Sequence, residues 1–254
     1  MKTKPTQQIY SNYTSQDFLV WKTLFNRQIN VLKPIVSNEY LKALETVKFN
    51  ADEIPDFKKV EYLLKPMTGW SLQVVPNISP QKDFFEFLSM KKFTATCWLR
   101  TMEQLDYLEE PDMFHDVFAH VPLLSNQEYV NFFKGISDIA LKHIDNPKAI
   151  ELLGRIYWFT IEFGLIKEKD ELKIYGAGII SSLGETKHCL GEQAIHLDFD
   201  VQTIFNTDFR TDIIQEKYFV VESFKQLFES LAEIESLLEI SIQKELEINA
   251  EIEQ

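Results

Sequence analysis

Pro111-Asp112-Met113-Phe114-His115-Asp116-Val117-Phe118-Ala119-His120-Val121-Pro122 sets two histidines five residues apart, and Glu162 follows within Tyr157-Trp158-Phe159-Thr160-Ile161-Glu162-Phe163-Gly164-Leu165. Two imidazoles and one carboxylate on one face of a divalent iron leave the opposite positions free for water, oxygen and substrate, the arrangement of non-haem iron oxygenases. The histidine pair alone is a weak signal, because such pairs recur at surfaces and in satisfied cores. Glu162 strengthens it. A carboxylate in so apolar a helix has to be paired, protonated or bound to a cation to offset its desolvation.

On an ideal α-helix, positions five apart point about 140° away from each other, whereas the four-residue spacing of zinc proteases leaves about 40°. A regular helix therefore does not converge His115 and His120; a π-type widening, or a helix that unwinds as it ends, does. Pro111 suits a first helical turn, where its missing N–H costs nothing, and Pro122 disfavours the α region for Val121. A short helix over about Asp112 to His120, irregular near its C-terminus, is expected.

Working outward, 254 residues without a linker rich in Gly, Ser or Pro fit one globular domain spanning 1–254. A formal net charge of -13 argues against nucleic acid or an anionic membrane surface as partner, since both repel such a chain. The N-terminus, MKTKPTQQIY, has no apolar stretch of the secretory kind, and no run of about 18 apolar residues occurs, so a cytoplasmic protein is expected. Cys97 and Cys189 lack metal or disulfide spacing and read as reduced structural thiols.

Amphipathic patterning predicts helices over Ser15 to Phe25 and Glu39 to Val47, a turn-rich link at Asp52 to Asp56, and a further helix over Asp83 to Leu88. Thr68 to Val75 suits a short strand leading into the Pro76 to Pro80 loop, and Glu171 to Tyr175 a second strand before Gly176-Ala177-Gly178, whose small residues allow close backbone approach. After Pro147 the apolar spacing predicts helix to about Ile166, with Gly164 a weak point. From Ser223 onward, Leu227, Leu231, Ile234 and Leu238 lie among many glutamates. They suit either a helix docked on its own domain or a short dimer seam.

With these residues placed, the chain resembles the pterin-dependent aromatic amino acid hydroxylase family, and within it the short bacterial phenylalanine-hydroxylating branch. The resemblance is carried by Asp106-Tyr107-Leu108-Glu109-Glu110-Pro111-Asp112, the two-histidine segment with Val121-Pro122-Leu123, the Tyr157 to Leu165 run, and Tyr175-Gly176-Ala177-Gly178-Ile179-Ile180-Ser181-Ser182. It covers about Tyr10 to Phe228, leaving 229–254 as an acidic C-terminal helix. The resemblance implies a mainly α fold with a small β component, forming a single catalytic domain of the aromatic amino acid hydroxylase type. It implies a monooxygenase of phenylalanine catabolism that uses Fe2+, a tetrahydropterin such as tetrahydrobiopterin and O2 to convert L-phenylalanine to L-tyrosine. Hydroxylation at the ring's 3-position, tryptophan hydroxylation, and a non-catalytic metal-binding role are the alternatives. A monomer is expected, with a dimer through the C-terminal helix the other possibility.

The same resemblance implies residue roles. His115, His120 and Glu162 become the metal ligands; Asp116 acts through water near the oxygen or pterin site, or else orients His115. Arg100 holds the substrate carboxylate, Trp158 forms the wall beside the substrate ring, and Gly178 and Ser181 lie at the substrate's amino-acid end. Phe84 stacks on the pterin, with Tyr157 and the loop residues Asn77, Ile78 and Ser79 completing that pocket. Glu185 supports a histidine ligand. The chain departs from the family's usual glycines at Ala119 and Asn77, and Leu108 agrees with the bacterial branch.

Overall fold

The computed structural model describes residues 4–106, 108 and 110–252; Tyr107 and Glu109 of the quoted 106–112 stretch, and the ends of the expected 1–254 domain, lie outside them. Helix α1, Ser15–Leu32, opens with a capping box in which the Asp17 N–H donates to Thr14 Oγ1 (3.3 Å) and the Thr14 N–H to the Asp17 carboxylate (2.7 Å). It outruns the expected Ser15 to Phe25 because Gln28, Ile29 and Leu32 extend the buried stripe of Val20, Trp21, Leu24 and Phe25. Helix α2, Asn38–Thr46, matches its expectation, while α3, Phe57–Met67, starts at the Asp56 cap, where a turn alone was expected.

Strand β1, Ser71–Val74, pairs in parallel with β2, Lys92–Ala95, and helix α4, Gln81–Ser89, makes the crossover that parallel pairing requires. Next come a π-helix, Phe114–His120, a tight turn, Val121–Ser125, and helix α5, Gln127–Lys142. Helix α6, Pro147–Tyr157, runs directly into a second π-helix, Trp158–Glu162. There the expected helix to Ile166 stops short: Leu165–Glu168 is strand β3, paired antiparallel with β4, Glu171–Ile174. A short apolar run fits helix and strand equally, and here the hairpin decides. Lys169 and Asp170 between the strands have φ of 50° and 67°, the left-handed pair of a type I′ turn.

Helices α7, Ala177–Ser181, and α8, Leu183–His188, lead to β5, Ile195–Asp198, α9, Val201–Phe205, and β6, Lys217–Val221. The second sheet has the order β4-β3-β6-β5, with β3, β6 and β5 parallel. Helices α10, Phe224–Glu229, and α11, Leu231–Ile252, complete the described chain. Leu227, Ile234 and Leu238 are buried and α11 packs on α5, α6 and α9, so this stripe docks on its own domain. The fold is mainly helical with a minor β component, as expected.

One continuous apolar cluster fills the interior. Phe114 and Phe118 of the first π-helix stack on each other at 4.6 Å, and meet Trp21 (5.8 Å from Phe114) and Phe25 (5.3 Å from Phe118) of α1. Burying each such side chain is worth about 1.5 to 3 kcal/mol relative to exposure, enough to fix which face of the π-helix turns inward against α1.

Candidate active site

The five-residue spacing is met by a π-helix along all of Phe114–His120, where only the C-terminal end was expected to be irregular. Its wider turn brings the Nε2 atoms of His115 and His120 to 3.4 Å. Asp112 caps this helix, accepting the N–H groups of Phe114 (3.2 Å) and His115 (3.3 Å), so Pro111 precedes the cap and lies outside the first helical turn expected for it. Val121 stays in the α region (φ -61°, ψ -37°) despite Pro122, contrary to expectation. The proline falls in the first turn of Val121–Ser125, where an N–H has no partner to lose, and Val121, Pro122, Leu123 and Leu124 are all buried.

Glu162 ends the second π-helix, whose Phe163 N–H donates five residues back to the Trp158 carbonyl at 2.9 Å. Its Oε1 lies 3.1 Å from His120 Nε2 and its Oε2 3.7 Å from His115 Nε2. These three residues offer ligand atoms within 4.8 Å of one another. Burial raises the Glu162 carboxyl, but the His120 and His115 imidazoles, charged in acid, and the Tyr157 hydroxyl outweigh it and hold the group at about 2. Burial lowers His115, which keeps its ring neutral.

The tautomer follows from the neighbours. Ser181 Oγ donates to the Ala177 carbonyl (2.9 Å), so at 2.8 Å from His115 Nδ1 it accepts that nitrogen's proton. Nε2 then carries a lone pair aimed at Glu162 and His120. Two imidazole nitrogens and a buried carboxylate directed at one point fit a divalent cation.

Ser181 thus sets the orientation of His115, a contact the residue types did not reveal. Asp116 does not make it: its carboxylate accepts from the N–H (2.7 Å) and hydroxyl (2.8 Å) of Thr96, and burial pushes its pKa up. Among the described residues, Glu185 hydrogen-bonds to no histidine ligand. It accepts the Gln215 N–H (2.8 Å) and the Tyr218 hydroxyl (2.6 Å), and the latter partner sits in β6, a strand the residue pattern did not disclose.

Arg100 is brought to the site by Asp112, which was not singled out. The fully buried carboxylate takes Arg100 Nε (2.9 Å), Nη2 (2.8 Å) and backbone N–H (2.9 Å), a two-pronged pairing that leaves Nη1, among the described residues, a 3.5 Å contact to the Leu105 carbonyl. Asp112 therefore ties the arginine to the helix that carries both histidines.

Trp158 stacks on Phe209 (4.5 Å, 18°), lies against Phe163 (4.6 Å) and donates its indole N–H to Gln215 Oε1 at 3.0 Å. A Cβ on Gly178 would sit 2.7 Å from Phe163 Cζ, and one on Gly176 2.4 Å from the Glu162 carbonyl oxygen. These two glycines let α7 lie directly on the second π-helix. Phe84 meets Tyr157 edge-on at 5.6 Å. The loop bearing Asn77, Ile78 and Ser79 runs into the Phe84 helix and is pinned by the Trp98 indole N–H on the Pro76 carbonyl (3.0 Å). An aromatic face beside an exposed polar loop fits a flat heteroaromatic cofactor.

A mononuclear site of two histidines and one carboxylate, set in a helical fold with an arginine and an aromatic wall, defines a non-haem iron oxygenase of the facial-triad kind. The family model for biopterin-dependent aromatic amino acid hydroxylases matches residues 2–251, further than the 10–228 over which the motifs ran, and the chain belongs to that family. It is 42% identical over 223 residues to the phenylalanine-4-hydroxylase of Chromobacterium violaceum, covering 87% of this chain and 74% of that one. A crystal structure of phenylalanine hydroxylase from that organism with bound oxidized Fe(III) superposes with a TM-score of 0.89 at 39% identity, covering 95% of this chain and 87% of the other. A second, with iron(III) and the oxidized cofactor 7,8-dihydrobiopterin, superposes with a TM-score of 0.88 at 39% identity over the same shares. No helix among the described residues is long and apolar enough to cross a membrane.

Proposed function

We propose that this chain is a phenylalanine 4-monooxygenase that uses Fe2+, a tetrahydropterin and O2 to hydroxylate L-phenylalanine to L-tyrosine. The observation that carries the reading is the convergence of His115, His120 and Glu162 from two π-helices. Their Nε2 and carboxylate atoms would hold the iron, and Phe84, Tyr157 and the Asn77 to Ser79 loop the reduced pterin. Bound there, the two supply the electrons and the open metal positions that activate O2.

The chain's own groups place the reactants. Arg100 turns its Nη1 edge to the substrate carboxylate while Asp112 holds the other edge. Trp158, braced by Phe163 and Phe209, walls the substrate ring, with Gly178 and Ser181 at the amino-acid end. Ser181 keeps the His115 proton on Nδ1, so Nε2 remains a ligand. Asp116 fixes Thr96 at the end of β2, beside the His115 helix. The reading takes 1–254 as one catalytic domain with an acidic terminal helix, acting in the cytoplasm as a monomer.

The test is anaerobic loading with ferrous iron, then addition of O2, a synthetic tetrahydropterin and phenylalanine, with products separated by chromatography and identified by mass. L-tyrosine is expected, and His120→Ala and Glu162→Ala should bind no iron and make none. Predominant meta-tyrosine, or a kcat/KM for tryptophan above that for phenylalanine, would overturn the assignment.

A further inference from the structure

We infer that Gln215 is a positioning residue that locks the plane of Trp158 and through it sets the preference for a single six-membered ring over an indole; this rests on the reading of Trp158 as the substrate wall. Gln215 is almost fully buried. Its side-chain Nε2 donates to the carbonyls of Arg210 (2.7 Å) and Ile213 (3.1 Å), which leaves only Oε1 to face Trp158. An amide held by two carbonyl acceptors cannot flip without turning an oxygen onto them, so the acceptor for the indole N–H is fixed in place.

The backbone holds Gln215 just as firmly. Its N–H donates to Glu185 Oε1 at 2.8 Å, and Glu185 Oε2 takes the hydroxyl of Tyr218 in β6 at 2.6 Å. The turn between is closed by the Arg210 guanidinium on Asp212 (2.9 and 2.6 Å). A chain of contacts thus runs from the sheet through Glu185 and Gln215 to the indole N–H, while Phe209 and Phe163 hold the ring by its apolar surface. An apolar wall discriminates ring size only as far as it refuses to move. The indole N–H is its one polar handle, and Gln215 is what grips it.

The test is a double-mutant cycle on the iron-loaded enzyme, read as the ratio of kcat/KM for phenylalanine to that for tryptophan. Losing one neutral hydrogen bond corresponds to about threefold to tenfold. Gln215→Met should lower the ratio by about that factor, mainly through a higher KM for phenylalanine, with iron content unchanged. In a Trp158→Phe background, which itself lowers the ratio, the same substitution should change it less than about twofold. Equal effects in both backgrounds would overturn the role of Gln215. A Trp158→Phe variant with an unchanged ratio would overturn the wall reading instead. Should Gln215→Met not fold, the unmodified protein decides: the indole N–H resonance that Trp158→Phe removes should exchange slowly with solvent, and fast exchange refutes the lock.

Discussion

Asp112→Ala is the perturbation that reaches furthest through this site. Among the described residues Asp112 accepts five N–H groups, three from Arg100 at 2.8 to 2.9 Å and those of Phe114 and His115 at 3.2 and 3.3 Å. The Arg100 side chain is only 10% exposed, so alanine leaves a largely buried guanidinium without its counter-charge, a loss of about 3 to 5 kcal/mol. Removing the helix cap adds about 1 kcal/mol. The guanidinium can recover part of this by turning toward the Leu105 carbonyl and solvent. A net loss of about 3 to 5 kcal/mol is expected, or on the order of 10 °C in Tm for a chain of this size. Asp112→Asn keeps an acceptor for the cap but no charge for Arg100, and should lose about half as much. Denaturation of the metal-free protein isolates the effect from ligand stabilisation. Steady-state kinetics should show KM for phenylalanine raised about tenfold or more in both variants, with iron still bound by the asparagine form. A loss below about 1 kcal/mol together with an unchanged KM in Asp112→Ala would refute the argument.

Three further outcomes are expected. Gly178→Ala drives a methyl to 2.7 Å from Phe163 Cζ and should cost about 1 to 3 kcal/mol by overpacking, seen as a lower denaturant midpoint; an unchanged midpoint would show that Phe163 yields freely. In the metal-free protein Glu162 is held at about 2 against an ordinary 4.5, so its contribution of up to about 3 kcal/mol is complete above pH 4.5 and lost as pH falls toward 2. Glu162→Gln should flatten that part of the stability profile, and identical acid profiles would count against it. Tyr175→Phe removes a buried hydroxyl with no partner among the described residues and should leave Tm unchanged or raised; a loss above about 1 kcal/mol would show that the hydroxyl is satisfied in solution.

The metal ligands could be read from residue types because their chemistry is local: a buried carboxylate and a histidine spacing that no regular helix serves. The need for a widened helix followed from the same spacing and is met at Phe114–His120, whereas the second π-helix, Trp158–Glu162, stands where a regular helix was expected. What could not be read depends on partners distant in the chain. Asp112 looks like an ordinary helix start until Arg100 is folded onto it, and Glu185, whose role beside a histidine came from the family resemblance, meets Tyr218 in a strand the residue pattern did not disclose. Strands β2, β3, β5 and β6 are four or five residues each, too short for alternation to separate them from helix or loop. Ile166 is the clearest case: its apolar neighbours continue the preceding helical spacing, yet it pairs with Lys173 and Val221.

The two π-helices give the site an unusual form of vulnerability. Each stretch closes its turn with one residue more than an α-helix uses. Inserting a single residue between His115 and Phe118, one that touches no metal, would set the two histidines six apart and turn them about 120° away from each other on a regular helix. All three ligands would remain in the chain, and the aromatic stripe facing α1 would lose its register with them. The site is encoded in a residue count as much as in residue identities, so a relative could retain His, His and Glu and yet have lost the centre they build.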